Sequence, residues 1–223
     1  MGFDKVRYKL RVKFTKEKDL RFISHLDIVN LFVRSLRRAG IPMDYSGGFN
    51  PRPKIDISFA LPLGIESKSE FADFVLTEKM NENFFMESMS KELPDGIKIL
   101  HVFYIPEISE SLNSTFNLAR YEVIIPEEVN MSGRFIEDSI NKFMSNPDKT
   151  IMHWRKNGKI KVDISDIVKC IEPVLPKINM ILKIGPQKNI RPQEILSAIF
   201  GITEKDMLSW RLVRTELSEV ENG

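Results

Sequence analysis

"KVRYKLRVKF", residues 5–14, alternates without a break. Val6, Tyr8, Leu10, Val12 and Phe14 fall on one side; Lys5, Arg7, Lys9, Arg11 and Lys13 fall on the other. A period of two predicts a half-buried strand with one apolar and one basic face. The next stretch, "SHLDIVNLFVRSLRRAG" at residues 24–40, changes period. Ser24 and Asp27 fit a capping box and Gly40 a helix stop. Val29, Phe32 and Leu36 form the apolar stripe, flanked by Ile28 and Leu31, with Asn30, Arg34, Arg37 and Arg38 mostly opposite.

Beyond this helix, "IPMDYS" (41–46), "KIDISFAL" (54–61) and "EFADFVLTE" (70–78) read as strands. "NENFFMESMSKEL" (81–93) reads as a helix and "IKILHVFYI" (97–105) as a strand. Dropping one short strand gives the β-α-β-β-α-β order of a ferredoxin-like lobe: an antiparallel sheet with helices on one face. "PEISESLNSTFN" (106–117) is polar and reads as a structureless boundary between domains 1–108 and 118–223. The second half repeats the theme. "RYEVII", "TIMHWRK", "KIKVDI", "INMILKIG" and "WRLVRTEL" read as strands, and "GRFIEDSINKFMSN" and "PQEILSAIFG" as helices. The expected class is α+β, with two ferredoxin-like lobes.

The chain has 223 residues, 42% hydrophobic and 29% charged, the balance of an ordinary globular protein. A single cysteine, Cys170, excludes an internal disulfide or a cysteine-rich metal site within the chain. No apolar run is long enough to span a bilayer, and charges interrupt the first ten residues where a signal peptide would be apolar. A cytoplasmic location without membrane contact is expected. His25, His101 and His153 are scattered without ligand spacing, and no phosphate loop, dinucleotide fingerprint or nucleophile elbow is present. Neither a metal nor a cofactor is expected.

The formal charge of +2 hides an asymmetry. Residues 1–54 hold 13 Lys and Arg against 5 Asp and Glu, a balance of +8; residues 55–110 hold 4 against 11, a balance of −7. In a ferredoxin-like lobe the basic side of residues 5–14 would be the face without helices. That face could track phosphates, or be solvated and partly paired with Asp56 and Asp73. A second basic face comes from "TIMHWRKNGKIKVDI". A two-residue Asn157-Gly158 turn would set Lys156 opposite Lys159 and Trp154 opposite Lys161, all four on one side. A tryptophan among lysines suits base stacking beside phosphate contacts, or it covers a domain interface. His153 falls on the opposite, mainly apolar side, as a core histidine.

"GGFNPRPK", residues 47–54, is too long for a plain hairpin turn. Asn50 and Arg52 each precede a proline and are held extended, whereas Gly47 and Gly48 permit positive φ. The loop would project Phe49, Asn50 and Arg52 near Arg37 and Arg38, with Lys54 a further nucleic-acid-binding candidate, as a binding element for RNA, a peptide or a partner enzyme. His25, in the first turn of the first helix, is the one catalytic candidate. A helix N-terminus lowers a histidine pKa, and a neutral imidazole can take a 2′-hydroxyl proton in metal-independent RNA cleavage. No second catalytic partner is visible, and the alternative role is capping or packing.

"RFISHLD", "LRRAGIP", "GGFNPRPK" and "LPLGIES" follow one another within residues 21–67. Together they resemble the radical-SAM-linked family, an uncharacterised group found beside radical SAM proteins or fused to their C-terminal end. "KVDI", "RPQEIL" and "RLVRTEL" are similar to that family's second half. The resemblance implies a radical SAM protein as partner, and neighbourhoods concerned with RNA. The chain itself lacks the three-cysteine cluster motif of radical SAM enzymes. The expectation is a non-catalytic substrate-recognition module, binding RNA through Lys9, Arg11, Trp154 and Lys161 among others. The alternatives are a protein-interaction adaptor without nucleic acid, and an endoribonuclease using His25.

Overall fold

A computed structural model describes residues 6–155, 158–185 and 190–219. The chain divides into two compact units, Met1–Thr115 and Phe116–Gly223. Among the described residues no helix is long and apolar enough to cross a membrane.

In the first unit, β1 (Tyr8–Lys16) lies between β3 (Glu66–Leu76) and β4 (Ile99–Ile105), antiparallel to both. A short β2 (Ile55–Ile57) pairs with β3, also antiparallel. Helices α1 (His25–Arg38) and α2 (Glu82–Glu92) cover the apolar side. The alternation of β1 explains this: Leu10, Val12 and Phe14 are buried, and Leu10 and Val12 pair across the ladder with Phe74 and Ala72. Phe32 and Leu36 enter from α1, and Phe85 and Met89 from α2. Phe32 stands edge-on to both Phe14 and Phe74, with centroids 4.9 and 5.5 Å away. The expected capping box forms at Ser24 and Asp27.

Two expectations differ from the structure. "IPMDYS" makes only the single bridges Met43–Leu76 and Tyr45–Pro53, because Pro42 has no N–H to donate and the glycine loop follows at once. "PEISESLNSTFN" is not structureless. It holds a one-turn helix α3 (Leu112–Thr115), Leu112 is fully buried, and Ser111 Oγ accepts the Ser114 N–H at 3.3 Å. An apolar side chain and a serine cap suffice to fix this otherwise polar segment.

In the second unit, β5 (Leu118–Ile124), β8 (Val168–Val174), β9 (Lys177–Lys183) and β10 (Arg211–Ser218) form a sheet in the order β10-β5-β9-β8, with every pair antiparallel. Ala119, Tyr121 and Val123 alternate inward on β5 and face Leu182, Met180 and Ile178 on β9. Helix α4 (Gly133–Ser145) packs on β8 and on α5 (Pro192–Phe200). Among the described residues the remaining strands, β6 (Thr150–Arg155) and β7 (Gly158–Asp163), pair with each other in a separate two-stranded sheet. The sequence reading missed β8. Lys169, Glu172 and Pro173 break its alternation, and Pro173 is tolerated because β8 ends the β10-β5-β9-β8 run.

Candidate functional site

The basic side of β1 is partly paired, with Asp73 as one of the acids, in line with the second of the two readings the sequence left open. Arg11 is only 8% exposed and binds Asp73 through two hydrogen bonds of 2.8 and 3.0 Å. Lys9 Nζ lies 3.3 Å from the same carboxylate and donates to Ser109 Oγ at 2.9 Å. Arg7 pairs with Asp44 at 2.9 Å and reaches Glu107 at 3.5 Å. Lys13 sits 5.7 Å above the Phe71 ring. Lys5 lies outside the described residues. The physical reason is register: the β1–β3 ladder sets Arg11 directly opposite Asp73, and the segment carrying Glu107 and Ser109 reaches the same cations. Lys54 is engaged too. Its ammonium donates to Asp44 at 2.8 Å and, with the charge of Arg7, holds the Asp44 carboxyl below the usual range.

The loop 47–52 is clasped at its base. Ser46 N–H donates to the Arg52 carbonyl at 2.8 Å, and Arg52 N–H returns to Ser46 Oγ at 3.0 Å. Gly48 takes φ +102°, which a side chain would strain. Phe49 is fully exposed at the tip, and Asn50 and Arg52 are exposed beside it. Arg37 and Arg38 lie exposed in the last turn of α1, where Arg38 is held by the Glu92 carboxylate at 2.6 Å.

His25 is the first residue of α1 and keeps an exposed edge, while its ring lines a small recess with Lys16 and Glu70. Burial of the ring lowers its pKa, with Lys16 adding to the fall and Glu70 and Asp56 opposing it. The imidazole is therefore neutral at neutral pH. His101 is exposed on β4, opposite Lys13. Among the described residues no group of His, Cys, Asp and Glu is placed to hold a metal.

The hairpin of the second unit keeps the expected face and changes the register. Trp154 pairs with Lys159 and Met152 with Lys161, so Trp154, Lys159 and Lys161 share one side. The pairing of Arg155 with Gly158 moves the connection one position earlier than the Asn-Gly signal suggests; Lys156 and Asn157 lie outside the described residues. Gly158 takes φ +117° at the first position of β7. Trp154 is 56% exposed, and Lys159 Nζ stands 4.4 Å from its ring.

Beneath this face lies a cluster that the sequence reading did not find. Glu194, in the first turn of α5, is 4% exposed. Its carboxylate meets His153 Nδ1 at 3.1 Å and accepts the backbone N–H groups of Trp154 and Arg191 at 3.1 and 3.0 Å. Burial pushes this carboxyl up, but those backbone donors, with the Arg191 and His153 side chains, outweigh it and hold the pKa below the ordinary value. Arg191 also grips Glu204 with both terminal nitrogens, at 2.9 and 2.5 Å. His153 thus fastens the hairpin to α5. The local signal was "RPQE": Pro192 at the start of a helix and Glu194 at its third position, where a carboxylate reaches back to the cap N–H. Hairpin and α5 together border a cleft of about 770 Å³, lined by Trp154, Lys159, Arg191, Ser197, Glu204 and Lys205 among others.

Residues 9–192 match the model of a family described as an uncharacterized protein conserved in bacteria, DUF2344. No curated protein matches the chain.

Proposed function

We propose that this chain, which belongs to the bacterial DUF2344 family, is a non-catalytic recognition module for RNA that works with a radical SAM protein. The observation that carries this reading is the hairpin face, where an exposed indole stands beside two lysines on a ribbon outside the main sheet. Aromatic platforms with flanking cations bind single strands through stacking and phosphate contacts. The orders β4-β1-β3-β2 and β10-β5-β9-β8, each antiparallel with two helices in the same relative places, support ferredoxin-like lobes in both units. The partner rests on the resemblance of residues 21–67 to the radical-SAM-linked family.

The test is RNA binding by the full chain across a salt series. Affinity should fall steeply with salt, and Lys161→Ala should reduce the log–log slope by about 0.7, the release expected for one phosphate contact. Salt-independent binding, or none, would count against the proposal. The same samples test catalysis. In the presence of a chelator the RNA should stay intact, and chelator-resistant cleavage that disappears in His25→Ala would replace recognition with catalysis. A second reading, a protein adaptor without nucleic acid, is favoured by the fully exposed Phe49 on its clasped loop. In that case association with the partner would survive both high salt and nuclease.

A further inference from the structure

We infer that the cleft beside the hairpin is a pocket for one nucleoside phosphate, taking an aromatic base and a phosphate group; this rests on the nucleic-acid reading above. Three features converge there. Ser197 is among the residues lining the cleft, and its Oγ, turned away from water, has no hydrogen-bond partner among the described residues. A buried hydroxyl left without a partner is costly, so a rotation about its Cα–Cβ bond that brings it to a ligand donor or acceptor in the cleft would be favoured. Trp154 borders the same space with more than half its surface exposed, so the Lys159 contact does not close off its ring.

The third feature is charge. Glu194 and Glu204 line the cleft, but both already bind Arg191. Lys159 and Lys205 also line it, and neither has a carboxylate within ion-pair distance among the described residues. Arg191 offsets part of the charge of the two acids, and with Lys159 and Lys205 the lining holds three cations against two carboxylates, which favours an anion. The volume falls in the range of about 300–1,000 Å³ typical of small-ligand sites. An inorganic anion would engage the lysines and leave the indole bare. A sugar phosphate would offer no ring to stack. A nucleoside phosphate uses the indole, the hydroxyl and the lysines together. The same chemistry is presented by an unstacked nucleotide of an RNA chain and by a free nucleotide.

The experiment is calorimetric titration of the full chain with the four nucleoside monophosphates and with a short single-stranded oligoribonucleotide. Ribose 5-phosphate and inorganic phosphate serve as controls. At least one monophosphate should bind, with ribose 5-phosphate weaker by about tenfold or more, the weight of one stacked base. Ser197→Ala should weaken binding roughly 2- to 10-fold, the weight of one neutral hydrogen bond. Lys205→Ala, at an exposed position, should weaken it without changing the melting temperature. Displacement of the oligonucleotide by the monophosphate would identify RNA as the source. Binding of monophosphates alone would keep the pocket, make a free nucleotide its ligand and remove the RNA reading. Oligonucleotide binding that ignores both substitutions and every monophosphate would overturn the pocket and leave the RNA reading standing. No binding of either would overturn both.

Discussion

On β1, Lys9 and Arg11 share the Asp73 carboxylate and Arg7 reaches Asp44 and Glu107. On the β6–β7 hairpin, Lys159 rests on an indole and Lys161 has no ion-pair partner among the described residues. In the sequence the two stretches look alike, each placing cations at every second position. The fold treats them differently because of what the register sets opposite. Carboxylates beside β1 engage Arg7, Lys9 and Arg11 and bury the last of these, whereas a tryptophan beside Lys159 leaves an exposed platform. Cations per residue therefore say little about where a polyanion would bind, and cross-strand neighbours say more.

The sharpest way to break this contrast is Asp73→Ala. Asp73 is 1% exposed, and its removal takes a two-point carboxylate contact from the buried Arg11 and an ion pair from Lys9. Breaking a buried pair in this way should cost about 3–5 kcal/mol, measured by chemical denaturation. A loss under about 1 kcal/mol would mean that the β1 face is open to water after all.

Glu194→Ala should come next, at about 1.5–3 kcal/mol, because His153, Arg191 and the Trp154 N–H lose a charged acceptor together. The pH dependence has a definite sign. The folded pKa of Glu194 is depressed below the ordinary 4.5, so its contribution is fully present above that value. It is lost as pH falls through the folded value. Glu194→Gln should therefore be less stable at neutral pH and show a shallower fall in stability on acidification below about 4.5. Parallel acid limbs in variant and parent would disprove the assignment.

Trp154→Ala should weaken RNA binding by about 1–3 kcal/mol, the weight of one stacked base, with little change in stability. If Arg11→Ala weakened binding equally at a temperature where it is still folded, the two faces would not differ in kind. The smallest effect is expected at Phe49. Its side chain is fully exposed, so Phe49→Ala should shift stability by no more than about 0.5 kcal/mol. A larger loss would show that the loop tip packs against something.

What the sequence disclosed was local. The strand read over residues 5–14 and found at 8–16, the capping box of Ser24 and Asp27, and the apolar stripe of Phe32 and Leu36 all follow from neighbours within a few positions. Asp73 could be named from the sequence as an acid available to the basic face, but which cation it takes, Arg11 at a separation of 62 residues, depends on strand register, which no local pattern encodes. His153 and Glu194 are 41 residues apart, and each has an ordinary local reading, as a core histidine and as a helix-start acid. Strand β8 stayed hidden because its proline and its charges suit an edge position and disguise the period.

The hairpin's separation from the main sheet has a consequence for motion. Since β6 and β7 pair with each other while the β10-β5-β9-β8 ladder runs without them, opening the ribbon would break its packing through Ile151 and its bonds to α5 but no bond of that ladder. Its tether to α5 is the Glu194 carboxylate, which takes both the His153 ring and the Trp154 amide. Amide protons of residues 151–154 should therefore exchange with solvent through a local opening, well before those of β5 and β9, which must wait for the whole unit to unfold. A ligand bridging the ribbon and α5 would act as a latch, and slowed exchange along β6 would record its arrival even where no side chain visibly moves.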